Sequence, residues 1–150
     1  IKAGGQPKDI KIEITEAVAF AGLERIMQVL TRLRIEGIKV SIDDFGTGYS
    51  SLTALHQLPF SDLKIDRSFT GRIIQDPEAE KIVQSLIDLA HSLGLKVVAE
   101  GVETQEVITL LKEKNCDMAQ GYFFSTTISA EEFIEWRNKN NYDSNKTKLM

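Results

Sequence analysis

Short apolar runs alternate with longer amphipathic stretches along this sequence, and this alternation restricts the fold more than any other feature. The runs have the β-branched content of buried strands, and the amphipathic stretches repeat apolar side chains at helical spacing. Five strands are predicted, at 10–14, 39–42, 62–65, 95–99 and 118–124. Because strand and helix alternate, we expect parallel strands joined by right-handed crossovers, which is an α/β fold.

The predicted helices carry recognisable start signals. Asp76 followed by Pro77 is a typical pair of N-cap and first-turn residue. Thr104 is a second N-cap, and Ser129 with Glu132 predicts a capping box for a helix that ends near residue 136. These signals support the boundaries of the alternating pattern.

Every predicted strand ends on, or is followed by, polar residues. They are Glu13, Asp43 with Asp44, Lys64 with Asp66, Glu100 with Glu103, and Gln120. The carboxyl ends of parallel strands point the same way, so a doubly wound sheet would place these residues along one edge, and a barrel would place them on a ring. Only a ring lets so many side chains converge. We therefore favour a partial TIM-type (β/α) barrel with about five of the eight βα units.

The stretch VSIDDFGTGYSS, at 40–51, contains the most distinctive chemistry. Its strand ends in Asp43 and Asp44, and Gly46 and Gly48 give the following loop the freedom to fold back. One interpretation makes both aspartates turn formers whose side chains bond to the following backbone. The other is a metal site, because two adjacent carboxylates repel each other unless a cation lies between them. The residue pattern by itself leaves both open.

Composition excludes several classes of protein. With 150 residues and 42% hydrophobic content, the chain can bury one core, so one domain or part of one is expected. A net charge of −4 provides no basic surface for a nucleic-acid polymer. No apolar run reaches the roughly 20 residues of a membrane-spanning helix. The lone Cys116 fits a reducing compartment, and we expect a cytoplasmic protein.

Five short motifs occur in an order that resembles one protein family. They are EITE at 13–16, DDFGTGYSS at 43–51, KID at 64–66, AEGVE at 99–103 and QGY at 120–122. Together they resemble the ordered signature of EAL domains, which are bacterial phosphodiesterases that open cyclic di-GMP. The resemblance implies a modified TIM barrel and two divalent ions, usually magnesium or manganese. It also implies linear pGpG as the product.

The resemblance assigns roles to individual residues. The implied metal ligands are Glu13, Asp43, Asp44 and Glu100, with Asp43 shared between the two ions. The implied catalytic residues are Lys64, which contacts the attacking water and the phosphate, Glu100, which some accounts make the general base, and Gln120, which helps to order the water. Glu16 would hold in place the loop that contains Gly46, Thr47 and Gly48, and Asp66 would contact substrate.

This sequence departs from the family pattern in two ways. The glutamate of the Glu-Ala-Leu motif and a metal-binding asparagine belong to earlier strands and are not found here. After QGYFFS the family continues with a basic residue and proline, but here Thr126, Thr127 and Ile128 follow. We expect residues 1–137 to be the C-terminal part of an EAL domain and 138–150 to be a polar tail. This part should be inactive alone, because an incomplete ligand set binds metal weakly.

Five strands cannot close a ring that needs eight. The outermost strands would then present unpaired backbone and apolar faces, which favour pairing with another chain. We expect either a homo-oligomer, formed through exposed strand edges by dimerisation or strand swapping, or completion of the barrel by the rest of a longer parent chain. Sensory or GGDEF domains are expected beside this one in such a parent.

Two other functions are compatible with the sequence. A degenerate member of the family would bind cyclic di-GMP or a partner protein without hydrolysing the nucleotide. Lys64 could instead be the Schiff-base lysine of a barrel aldolase, a role open to a desolvated lysine. The aldolase hypothesis leaves the adjacent Asp43 and Asp44 without a purpose, so it ranks last.

Overall fold

The computed structural model describes residues 5–46 and 52–139. Its centre is a five-stranded sheet in which every neighbouring pair is parallel and the strand order follows the chain order. The strands are β1 (Lys11–Thr15), β2 (Lys39–Phe45), β3 (Asp62–Ile65), β4 (Lys96–Ala99) and β5 (Met118–Ala119). Sequential order in a parallel sheet is the arrangement of one arc of a (β/α) barrel. The predicted α/β fold with five parallel strands is confirmed.

Each strand in the described part of the chain is followed by one or more helices. Those between strands cover the outer side of the sheet, whereas the last helix lines a cavity on the opposite side with Phe133 and Trp136. The helices are α1 (Glu16–Phe20), α2 (Leu23–Ile35), α3 (Leu52–Gln57), α4 (Arg67–Thr70), α5 (Pro77–Ser92), α6 (Gln105–Glu113) and α7 (Ala130–Lys139). The Asp76 side chain accepts from the Glu78 N–H at the start of α5, and Thr104 accepts from the Val107 N–H at the start of α6. Ser129 and Glu132 exchange both capping-box hydrogen bonds. All three predicted start signals are confirmed.

Three boundaries differ from the sequence prediction by more than one residue, whereas those of β1 and β4 differ by one. The strand predicted at 118–124 ends at Ala119, because Gln120 makes its last sheet contact and a turn follows in which the Phe124 N–H bonds to the Gly121 carbonyl. β2 runs past residue 42 to Phe45 and so contains both aspartates. α7 continues through Lys139, beyond the predicted end near residue 136. The rest of the predicted tail, 140–150, lies outside the described residues.

The apolar core lies between the sheet and its helices. Almost completely buried side chains from β2 and β3 face it, namely Val40, Ile42, Leu63 and Ile65. They belong to one cluster with Val83 and Ile87 of α5. Because side chains alternate along a strand, the residues between these point to the opposite, concave side of the sheet. That concave side is unusually polar, since Ser41, Asp62 and Lys64 are buried there.

The concave side is open. A cavity of about 720 Å³ follows it from Lys11 and Glu13 on β1 to the aromatic side chains of Phe124 and Trp136. β1 and β5 are the edges of the sheet in the described part of the chain, and each pairs with a single neighbour. Within residues 5–46 and 52–139, no helix is long and apolar enough to cross a membrane.

Candidate functional site

Two layers of polar side chains fill the concave side of the first three strands. The lower layer consists of Lys11, Ser41 and Asp62, and the upper layer consists of Glu13, Asp43 and Lys64. Each upper residue follows its lower neighbour by two positions on the same strand, which is the spacing that keeps side chains on one face. The strand pattern therefore brings polar side chains from β1, β2 and β3 together twice, one layer above the other.

Asp62 is the centre of the lower layer. Its carboxylate is 2.9 Å from the Lys11 ammonium and accepts hydrogen bonds from the Ser41 and Ser61 hydroxyls. Burial alone would raise the pKa of Asp62, but the hydrogen bonds from Ser41 and Ser61 and the Lys11 ammonium lower it below its ordinary value. No sequence motif marks this layer. Its only signal was that Lys11, Ser41 and Asp62 lie two residues before Glu13, Asp43 and Lys64.

Replacing Asp62 by asparagine should destabilise the fold by about 1–3 kcal/mol, because buried hydrogen bonds to a charged group are lost. A group whose folded-state pKa is lowered stabilises the fold above its unfolded pKa and stops doing so as pH falls through the folded value. The unfolding free energy of the wild type should therefore decline below about pH 4, and D62N should show a smaller decline. Urea unfolding between pH 3 and 7 measures both.

The control for this prediction is Asp88, an exposed carboxylate on α5 that accepts from Gln84. D88N should change neither the unfolding free energy nor its pH dependence by more than about 0.5 kcal/mol. Equal pH dependence in D62N and the wild type would show that Asp62 does not titrate in this way.

Lys64 is the centre of the upper layer. Its Nζ atom lies 2.6 Å from Glu100, 2.7 Å from Glu13 and 3.0 Å from Asp43. The lysine side chain is only 5% exposed. Burial alone would lower the pKa of Lys64, but its hydrogen bonds to these carboxylates raise it above its ordinary value. Lys64 is thus a buried ammonium held by acids from β1, from β2 and from the residue that follows β4.

An irregularity in β2 brings Asp43 and Asp44 to the same site. Ile42 pairs with Leu63 and Phe45 pairs with Ile65, so two residues of β2 stand opposite the single Lys64 of β3. This is a β-bulge, in which the extra residue changes the direction of a side chain. Asp44 takes a left-handed conformation, with φ of 55°, and its N–H bonds to the Asp43 carboxylate. Without the bulge, strand alternation would place the two carboxylates on opposite faces.

Three carboxylates at the top of the sheet can bind one metal ion. Oxygen atoms of Asp43, Asp44 and Glu100 lie within 4.8 Å of one another. Burial raises the pKa of Glu100, and although Lys64 lowers it, the nearby Asp43 and Glu13 charges raise it further. Such a set of oxygen donors fits a hard divalent cation. The turn-former hypothesis for Asp43 and Asp44 does not explain why Glu100 lies beside them.

Glu13 lies at the edge of this group. Its carboxylate contacts Lys64 and its side chain is 43% exposed, and the cluster of three carboxylates does not include it. Its role as a metal ligand stays a prediction.

Glu16 contacts the backbone immediately after β2. Its Oε2 atom accepts from the Gly46 N–H at 3.0 Å, and Gly46 has a φ of +97° that favours glycine. Glu16 is buried, and its Oε1 atom has no hydrogen-bond partner among the described residues. Thr47 and Gly48 lie outside the described residues. The contact to Gly46 supports a loop-holding role for Glu16, which stays a prediction.

Gln120 and Asp66 occupy the same end of the sheet. Gln120 donates its N–H to Ala99 and accepts from the Val102 N–H, so its backbone joins β4 to β5. It lines a cavity of about 280 Å³ together with Glu100. The Asp66 carboxylate accepts from the Ser68 N–H and caps α4. Their catalytic and substrate-binding roles stay predictions.

Known proteins resemble this chain in sequence and structure. The family model of the EAL domain matches residues 1–127. The cyclic di-GMP phosphodiesterase NbdA of Pseudomonas aeruginosa is 44% identical over 128 residues, which are 83% of this chain and 16% of NbdA. The first curated relatives are matched over only 16% or 17% of their length.

Two solved structures show the same fold. The PaMucR phosphodiesterase in complex with c-di-GMP is similar with a TM-score of 0.84 and 38% identity, over 88% of this chain and 53% of that one. The manganese/cy-diGMP complex of Klebsiella pneumoniae BlrP1 gives a TM-score of 0.77 and 36% identity, over 83% of this chain and 32% of that one. The predicted partial TIM-type barrel is confirmed, and a divalent metal accompanies the nucleotide in one of these neighbours.

Proposed function

The chain belongs to the EAL domain family, and on this basis we propose that it is the C-terminal part of a phosphodiesterase domain that hydrolyses cyclic di-GMP to linear pGpG. The observation that carries the proposal is the meeting of Asp43, Asp44, Glu100 and Lys64 at the carboxyl ends of three parallel strands. In (β/α) barrels the reaction takes place at this end of the strands. Residues 1–137 form this part of the domain in our proposal.

The carboxylate cluster would hold divalent cations, Mg²⁺ or Mn²⁺. Asp43, Asp44 and Glu100 are the ligands that the geometry supports, and Glu13 would join them in the complete domain. Two ions bound there would lower the pKa of a water molecule and neutralise charge on the phosphoryl oxygens.

The remaining side chains position the reactants. Lys64 presents an ammonium that is protonated at neutral pH and can donate to a phosphate oxygen or to water. Glu100, whose pKa is raised by burial, is suited to accept a proton from water at its free carboxylate oxygen. Gln120 would orient that water. Glu16, through Gly46, would hold the loop after β2 against the site.

Part of the ligand set is not present in this chain. The Glu-Ala-Leu glutamate and the asparagine lie on strands that precede these in the family, and the chain spans 53% of the PaMucR structure. A partial ligand set binds metal weakly and positions water poorly. We therefore propose that these residues hydrolyse cyclic di-GMP only within a completed barrel.

Extending the chain upstream tests this proposal. A version with about 100 additional parent residues, the order of the missing barrel portion, should hydrolyse cyclic di-GMP with Mn²⁺ or Mg²⁺. The 150-residue chain should show at least about a hundredfold lower rate, because its metal site is incomplete. Separating cyclic di-GMP, pGpG and GMP by chromatography over time measures both rates. No metal-dependent hydrolysis by the extended version would contradict the proposed function.

The second candidate is a module that binds cyclic di-GMP without cleaving it. It is favoured by the partial ligand set and by Thr126, Thr127 and Ile128, which replace the basic residue and proline of the family. Calorimetry of the extended version would distinguish the two functions, since binding without turnover supports the module and turnover excludes it.

We also propose how the domain associates, which domains flank it and where it is located. β1 and β5 are the edges of the sheet in the described part of the chain, and two apolar residues outside these strands are exposed, Ile10 just before β1 (36%) and Tyr122 three residues after β5 (70%). These features support either self-association through the edges or completion by the parent chain. The matched relatives are several times longer, which supports flanking sensory or GGDEF domains. A buried, unpaired Cys116 supports a cytoplasmic location.

A further inference from the structure

The Lys64 ammonium lies inside the candidate metal centre. Two of its three carboxylate partners, Asp43 and Glu100, are also two of the three carboxylates that could bind a metal ion. The contacts are short, at 3.0 Å and 2.6 Å. The lysine side chain is buried, so solvent screens its attraction to these charges less than it would at an exposed site. The site therefore already contains a cation that the chain itself supplies.

A divalent ion and this ammonium would both draw on the carboxylates of Asp43 and Glu100. Metal ligands surround an ion at about 2.0–2.6 Å, so an ion held by these carboxylates would lie close to the Lys64 ammonium that contacts them at 3.0 Å and 2.6 Å. The two cations would also repel each other at short distance in a partly desolvated site. Glu13 is different, because it contacts Lys64 but lies outside the cluster of three carboxylates. It remains available to the ammonium when the other two are not.

We propose that Lys64 competes with the divalent ion for Asp43 and Glu100, so that metal binding displaces its ammonium from these two carboxylates and leaves it beside Glu13. This rests on the proposed function only in taking a divalent ion as the ligand. Before metal binds, the single positive charge of Lys64 would offset part of the negative charge of its three acid partners, which stabilises the fold at the expense of metal affinity. Displacement would make the ammonium available to an anionic phosphate only after metal has bound.

Removing the ammonium should increase metal affinity. Replacing Lys64 by methionine keeps most of the side-chain volume and removes the charge, and we expect Mn²⁺ to bind at least about tenfold more tightly to K64M than to the wild type. Titration calorimetry of the 150-residue chain with MnCl₂ measures the two dissociation constants. An unchanged or weaker affinity in K64M, or no Mn²⁺ binding to either protein, would overturn the proposal.

Two lysines provide matched controls. Lys11 lines the same concave side but pairs with Asp62, which is outside the metal cluster, so K11M tests whether any positive charge on this side matters. Lys114 pairs with Glu80 between α6 and α5, so K114M tests the loss of a partly buried ion pair elsewhere. Both should leave the Mn²⁺ dissociation constant within about threefold of the wild type. A tenfold increase in affinity in K11M would contradict direct competition by Lys64.

A second measurement uses the wild type and does not depend on whether K64M folds. Acetic anhydride labelling followed by mass spectrometry reports how accessible each lysine amine is. Saturating Mn²⁺ should raise labelling of Lys64 several-fold, because its amine loses two of its three carboxylate partners, Asp43 and Glu100. Labelling of Lys114 should not change, because its partner Glu80 lies outside the metal cluster. Lys64 that stays equally protected would overturn the proposal. Neither measurement uses hydrolysis, so an inactive extended chain would contradict the phosphodiesterase function without affecting this inference.

Discussion

Asp43→Asn should abolish hydrolysis of cyclic di-GMP by the upstream-extended chain, with a fall in kcat of more than about a hundredfold. Asp43 belongs to the three-carboxylate cluster and also contacts Lys64 at 3.0 Å, so its charge serves the metal and the ammonium together. Asparagine has the same shape and keeps the bulge in β2, but it removes the negative charge that a divalent cation requires. Time courses of pGpG formation with Mn²⁺ at saturating substrate measure the effect.

The exposed Asp88 provides the comparison, since D88N removes one carboxylate of the same type on α5, away from the site. Its kcat should remain within about twofold of the unmodified extended chain. The D43N protein should also unfold cooperatively, which separates a chemical defect from a folding defect. If D43N retained more than a tenth of the activity, the carboxylate cluster would not be the metal centre of the reaction.

Gly121→Ala should be strongly destabilising, by about 2–4 kcal/mol. A Cβ atom at position 121 would lie 2.2 Å from the carbonyl oxygen of Val102 and 2.3 Å from its nitrogen. These backbone atoms cannot easily move, because the Val102 N–H bonds to Gln120 and the Val102 carbonyl accepts from the Phe123 N–H. The strain would therefore fall on the junction between β4 and β5. Urea unfolding followed by circular dichroism measures the loss.

Gly22 is the matched position, because a Cβ atom added there would meet nothing within 4 Å. Gly22→Ala should change the unfolding free energy by less than about 1 kcal/mol. Equal stability of G121A and G22A would mean that the close approach of residue 121 to Val102 does not exist in solution.

The strands and their acidic ends could be predicted because the signals are local. A β-branched run followed by Asp43 and Asp44 identifies a strand and its functional end within a few residues. The N-cap pair at Asp76 and the capping box at Ser129 are equally local, and the structure contains both. Such signals determine which elements form, and alternation of strand and helix then determines that the sheet is parallel.

Other features depend on pairing between distant residues, and sequence analysis missed them. Lys64 and Glu100 are separated by 36 positions and meet only because β3 and β4 pair in a particular register. The ion pair of Lys11 with Asp62 spans 51 positions and has no local signature. The family resemblance suggested roles for the upper layer, but nothing in it predicted that Lys64 would contact three acids at once.

The bulge in β2 makes the number of residues between Ile42 and Phe45 as important as their identity. Deleting Asp43 or Asp44 would restore regular pairing between β2 and β3 and leave a single carboxylate on the concave side. Substituting either residue would keep the bulge. Relatives should therefore tolerate substitutions around this segment far better than insertions or deletions. A deletion or insertion between Ile42 and Phe45 in a relative would therefore be a stronger sign of a lost metal centre than several substitutions nearby.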